Sequence, residues 1–160
     1  MPQAALIDLH REIVQNNWVD YNGHMNVAYY VLVFDHATDA LLDFAGLNHT
    51  HREKTQNSVF VVESHLTYEK EVMEGDELRV TTQILDMDAK RLHIFHRMHL
   101  IDSNDLVATN ELMILSVNLT TRKVSPFADK VATNLNKIMV SQQLIPSPPQ
   151  AGQNIGIRKS

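Results

Sequence analysis

The 160-residue chain contains no cysteine. That absence excludes disulfides, Fe–S clusters, thiolate zinc sites and a cysteine nucleophile, and it suits a reducing cytoplasm. A basic footprint is missing as well: 14 Lys and Arg stand against 19 Asp and Glu, a net charge of -5, so neither nucleic acid nor an anionic membrane is an expected partner. The first residues, "MPQAALIDLHREIV", lack the basic segment and apolar run of a signal peptide. The one long apolar segment, from Val27, carries Asp35, His36, Asp39 and Asp43 and would make a poor membrane span. No Gly-rich phosphate loop, G-x-S-x-G elbow or H-E-x-x-H is present.

What is present suffices for one domain: at 160 residues and 44% hydrophobic the chain can bury an ordinary core. Residues 5 to 15 read as a strand. From Val27 to Ala45 the apolar positions Val27, Tyr30, Val31, Phe34, Ala37, Leu41, Leu42 and Ala45 recur at helical spacing, and Gly46 supplies a stop. Leu32 and Val33 add apolar groups on the other side, which predicts a helix wrapped by other elements. Residues 57–72, 77–87, 91–101 and 106–119 alternate as strands, and the short turns "EGD", "DMDAK" and "DSND" between them predict an antiparallel meander. Residues 126–140 read as a second, amphipathic helix opened by Pro126, and 141–160 as an extended tail outside a 1–140 domain.

Nine histidines raise the question of metal. On a strand, His93 and His99 point to one side and His96 to the other, so the three cannot converge on an ion. "HTH" at 49–51 falls in an expected loop and has no carboxylate at a familiar ligand spacing. The histidines therefore read as solvated or satisfied side chains and not as metal ligands.

The stretch "DYNGHMNVAYY", residues 20–30, joins a polar turn directly to the apolar helix. Asp20 in "DYNG" can close an Asx-turn and Asn26 can cap the helix, which accounts for both without any chemistry. The same geometry supports acyl transfer or hydrolysis: a helix N-terminus offers unpaired N–H groups to a developing oxyanion, and a carboxylate beside it can attack a carbonyl or activate water. The residues alone weigh these readings evenly.

"DYNGHMNVAYY" also resembles the D-x-x-G-H-x-N signature of hotdog-fold acyl-CoA thioesterases of the 4-hydroxybenzoyl-CoA thioesterase type. "VFDHATDALLDFAGL" is similar to their central helix, and "VVESHLTYEKEVMEGDELRV" to their strand–turn–strand segment. The resemblance implies an α+β hotdog fold, an antiparallel sheet of about five strands around a long central helix, with a C-terminal helix besides. It implies a homodimer, with dimer versus tetramer left open, an acyl-CoA substrate, and no cofactor, since coenzyme A is part of the substrate. By position, Asp20 matches the catalytic Asp, as nucleophile or general base, and the Val27 N–H matches the oxyanion donor. Gly23, His24 and Asn26 complete the motif, the last two fixing the turn and capping the helix. The family's second Asn is replaced here by Val27.

More finely, "WVDYNGHMNVAYYVLVFDHATDALLD" looks like the betainyl-CoA thioesterases of carnitine catabolism, which also occur fused to carnitine dehydrogenases. Trp18, Tyr21, Tyr29, Tyr30 and Phe60 could then face a trimethylammonium group, with Glu63 as counter-charge. Glu63 and His65 are expected on one strand face, opposite Phe60, Val62, Leu66 and Tyr68, lining an acyl pocket or meeting solvent. Lys70, Arg122 and Lys123 are candidate contacts for CoA phosphates. A hotdog hydratase or dehydratase, and a non-catalytic acyl-CoA-binding module, are the alternatives.

Overall fold

A computed structural model describes residues 4–159; residues 1–3 and 160, at the ends of the expected domain and tail, lie outside the described residues. The long strands are β1 (Ile7–Ile13), β2 (Asn57–Tyr68), β3 (Glu77–Met87), β4 (Arg91–Leu100) and β5 (Leu106–Asn118), and a two-residue β6 (Lys123–Val124) pairs with β5. Their order is β1-β3-β4-β5-β2, and every pairing is antiparallel. The expected meander thus holds for β3, β4 and β5, while β1 and β2 occupy the two edges.

The central helix α1 (Val27–Ala45) lies against this sheet. Asn26 caps its start, and Gly46, at φ +97, ends it with the Leu47 N–H donating to the Leu42 carbonyl. Around its first half pack Val14, Trp18, Val72, Leu78, Val80 and Met98; around its second half, Leu47, Ile84, Ile94, Leu112 and Ile114. The expected burial of α1 on all sides is incomplete within one chain: Val33 and Phe34 are fully buried, but Val27 and Val31, one helical turn apart, are exposed.

A third helix, α3 (Asp129–Ser141), starts three residues after Pro126 and presents Val131, Leu135 and Ile138 to the core. At its end the buried Gln142 takes over part of a strand's role. Its side chain accepts from the Ile84 N–H at 2.8 Å and donates to the Thr82 carbonyl at 3.0 Å, just where β1 stops pairing with β3. The tail beyond has no helix or strand and crosses the sheet's outer face. Gln83 on β3 donates to the Ile145 and Pro146 carbonyls, and the Gly152 N–H donates to Glu111 on β5. Between those two residues in register lies Phe95, which is fully buried although its neighbours in alternation, Ile94 and His96, face the helix side.

The expected loop around "HTH" is a short helix, α2 (His49–Thr55). Asn48 caps it by accepting from the His51 N–H, and His49 lies 3.2 Å from Glu53 one turn on, local signals that outweigh the absence of any buried face.

Candidate active site

The polar turn is built by a ladder of short-range hydrogen bonds. A 3-10 turn at Asn16–Trp18 leads into it, the Asn26 N–H donates to the Trp18 carbonyl, and Val19 bridges Met25. The Met25 N–H donates to the Val72 carbonyl, tying the turn to the chain after β2. Inside, the Asp20 N–H donates to the His24 carbonyl and the Gly23 N–H to the Asp20 carbonyl. Gly23 sits at φ +81, a left-handed conformation that an L side chain would strain. Asp20 does close an Asx-turn, its Oδ1 accepting from the Asn22 N–H at 2.8 Å. That uses one carboxylate oxygen; Oδ2 takes no hydrogen bond among the described residues. The Asx-turn therefore occupies one oxygen of this half-buried side chain and leaves the other available.

The helix end completes the arrangement. Asn26 Oδ1 accepts from the Ala28 N–H at 2.9 Å, and the Tyr29 N–H donates to the Asn26 carbonyl. The Val27 N–H has no partner among the described residues, so the positive end of the α1 dipole presents a free donor. Asp20 and Val27 open into one cavity of about 630 Å3, which Tyr30, Tyr68, Glu69 and Glu71 also line. His24 Nε2 lies 2.9 Å from Glu71 across its mouth. The Tyr30 and Tyr68 rings meet edge to face at 5.2 Å, and burial raises both phenols above the ordinary tyrosine value, keeping them protonated. Lys70, a candidate for CoA phosphate, points its ammonium at Asp105, which lowers the Asp105 carboxyl.

The other expected site residues are dispersed. Trp18 is buried in the core and stacks on Tyr29 at 5.5 Å, so these rings face one another. Tyr21 projects from the turn, 97% exposed. Glu63 and His65 lie on the sheet's outer face, in a separate pocket with His93, Glu111 and tail residues Gly152 to Asn154. Phe60 was expected opposite that pair and instead shares its face. β2 carries a bulge between Val61 and Glu63, so Phe60 pairs with Leu115 and Glu63 with Met113, and the extra residue, Val62, reverses the count. The Phe60 ring already carries the Arg122 guanidinium, 5.3 Å from its centroid. Of the five aromatic candidates only Tyr30 lines the cavity; Tyr68 and the two glutamates beside it were not expected there. Their signal lay in "TYEKE", the end of β2, which the antiparallel order returns to the α1 N-terminus.

A carboxylate and a free helix-end donor in one cavity suit attack on a polarised carbonyl. Residues 14–135 match the family described as the Thioesterase-like superfamily. The chain belongs to that family. It is 40% identical over 140 residues to the betainyl-CoA thioesterase of Pseudomonas aeruginosa, with 88% of each chain covered. It is 35% identical to part of the L-carnitine dehydrogenase/betainyl-CoA thioesterase of Rhizobium meliloti, spanning only 28% of that protein's length. A Staphylococcus aureus protein solved in complex with CoA superimposes with a TM-score of 0.90 at 31% identity, covering 99% of both chains. The fold is the hotdog arrangement, and this member of the thioesterase-like superfamily is a thioester hydrolase acting on a small-molecule CoA ester. Hydration of an acyl chain finds no support among these relatives. Among the described residues no helix is long and apolar enough to cross a membrane.

Proposed function

We propose that the chain hydrolyses a CoA thioester whose acyl group carries a quaternary ammonium, betainyl-CoA being the type, with Asp20 as general base. The observation that carries this is the company Asp20 keeps: Glu69, Glu71, Tyr30 and Tyr68 line the cavity, while the ammonium of Lys70, the cation among them, is paired with Asp105. An acidic and aromatic wall attracts a soft cation and repels a free carboxylate. The 40% identity to a betainyl-CoA thioesterase supports the same substrate.

In this reading the thioester carbonyl oxygen accepts from the Val27 N–H. Asp20 Oδ2 removes a proton from water as the water oxygen attacks the carbonyl carbon, and the tetrahedral oxyanion is held by Val27. Collapse breaks the C–S bond, and the proton on Asp20 passes to the departing CoA thiolate. Gly23, His24 and Asn26 position these two groups. The test is thiol release from betainyl-CoA against 3,3-dimethylbutyryl-CoA, its neutral isostere. A preference of at least tenfold in kcat/KM supports the cationic pocket, and equal rates sink it.

We also propose a homodimer, working in the cytoplasm. β2 is a 12-residue edge strand that exposes Phe60, Val61 and Val62, and α1 exposes Val27 and Val31 near the site. A long apolar edge of this kind is stable in water when a second strand covers it.

A further inference from the structure

Far along α1 from Asp20, His10, Glu12 and His36 form a cluster that the hydrolytic reaction does not use. His10 and Glu12 stand two residues apart on β1, an edge strand, and so share one face; His36 reaches them from α1. The Glu12 carboxylate lies between the two rings: His10 Nε2 is 2.7 Å from Oε2, and His36 Nδ1 is 3.0 Å from Oε2 and 3.1 Å from Oε1. The rings meet nearly edge on, with centroids 5.9 Å apart. Among the described residues this is the place where three such donors come within 4.8 Å of one another.

We propose that His10, Glu12 and His36 bind one divalent transition-metal cation of the zinc type, clamping the edge strand to the central helix. The donor set is two imidazole nitrogens and one carboxylate oxygen, a combination zinc takes in tetrahedral geometry. Ligands about 2.0–2.1 Å from a tetrahedral ion stand roughly 3.3 Å apart. The histidine–carboxylate spacings of 2.7 to 3.1 Å are a few tenths of an ångström shorter, the distances expected where hydrogen bonds hold these donors in place of an ion, and all three donor atoms lie within 4.8 Å of one another. Zinc binding takes the ring nitrogens that now face Glu12; each neutral imidazole changes tautomer, its one proton moving to the other ring nitrogen by exchange with solvent, so both rings bind as neutral ligands and no proton is lost overall. Glu12 is screened, its side chain only 16% exposed, whereas His36 at 39% leaves a way in for the ion and its remaining water ligands. A carboxylate half-buried between a strand and a helix is stabilised more by a divalent cation than by two neutral rings. On β4, by contrast, His93 is paired with Glu111 on the outer face while His96 bonds two threonines on the inner, so the obvious histidine run offers no such convergence.

The test is calorimetric titration of the untagged, chelator-treated chain with Zn2+ at pH 7.5, with Co2+ absorption between 500 and 650 nm as a second readout. One Zn2+ per chain with a dissociation constant below 10 µM (about 10−5 M, roughly −7 kcal/mol), a cobalt d–d band of tetrahedral intensity, and a rise in Tm on adding Zn2+ are expected. Glu12→Gln and His36→Ala should each weaken binding at least tenfold and lose the Tm shift, whereas His49→Ala on α2 should change neither. A wild-type chain that takes up no zinc below 100 µM (about 10−4 M, roughly −5.5 kcal/mol) overturns the proposal, leaving a hydrogen-bonded triad only. Equal binding by both variants overturns it too. None of these readouts depends on thioester hydrolysis.

Discussion

At the scale of single residues, Asp20 and His96 show how much one side chain's surroundings decide. Asp20→Asn keeps the Asx acceptor for the Asn22 N–H but removes the proposed base, so the turn should persist while kcat falls by about 10²–10⁴-fold. Thiol release and circular dichroism on the same sample check this, and a fully active variant sinks the mechanism. Gly23→Ala acts on the same turn through the backbone. At φ +81 an alanine strains the chain by about 1–2 kcal/mol, and a lower Tm together with reduced kcat is the expected pair of effects. His96 is fully buried, stacked on Phe34, with Nε2 at 2.8 Å from Thr38 Oγ1 and Nδ1 at 2.8 Å from Thr82 Oγ1. The Thr38 hydroxyl donates to the Phe34 carbonyl, so it accepts from Nε2–H, and Nδ1 accepts from Thr82. Both ring nitrogens are satisfied in the neutral form, and burial lowers the pKa to about 3. Between an unfolded value near 6.5 and about 3, the unfolded chain binds a proton that the folded chain does not. Stability therefore falls as pH drops below about 6.5, by up to about 1.4 kcal/mol per pH unit from this group. Urea unfolding of wild type and His96→Gln at pH 7, 6 and 5 should show a shallower slope in the variant; parallel slopes would refute the assignment.

At the scale of elements, two side-chain amides hold ends that the backbone leaves open. Asn26→Ala removes the α1 cap and should lower stability by about 1 kcal/mol in urea unfolding, while Asn26→Asp, which keeps an acceptor at Ala28, should not. Gln142→Ala strands the buried Ile84 N–H and Thr82 carbonyl at the end of β3, for a loss of about 1–3 kcal/mol. Asn26 was legible beforehand because capping is a local relation between a residue and the next two. Gln142 was not: it bonds to β3 some 58 residues away, and nothing near it in the chain marks it. The bulge at Val62 belongs with Gln142. Alternation along "SVFVVESHL" gives a consistent face assignment, and only pairing with β5 shows that one residue is extra and Phe60 faces the other way.

At the scale of the whole molecule, the sheet order leaves β2 at an edge and the site open beside exposed Val27. Sedimentation should report a dimer, and Val62→Lys, which puts a charge on that edge, should shift the chain towards monomer and reduce kcat with it. A monomeric variant with full activity would mean that one chain's cavity is sufficient. The tail belongs to this scale as well. It is irregular, as its Pro- and Gln-rich composition predicts, but Ile145 and Pro146 accept from Gln83 and Gly152 donates to Glu111, whereas Ile155 and Ile157 beyond them are exposed.

Sequence alone determined the elements with strong periodicity or local chemistry: the long helix with its cap and glycine stop, the antiparallel strands, and the turn that carries Asp20. Its likeness to the hotdog thioesterases made that turn the candidate site. Each is set by residues within a few positions of one another, or by a motif read as a unit. Tertiary structure decided what surrounds Asp20. Tyr68, Glu69 and Glu71 lie some 50 residues away in the chain and reach the cavity because β2 ends beside the α1 N-terminus. Glu63 and His65, nearer in sequence, turn to the outer face under the tail. His10, Glu12 and His36 likewise meet only once β1 docks against α1. A pocket is a property of which strand ends coincide, and that follows from the packing of the entire core around α1 rather than from any local stretch of chain.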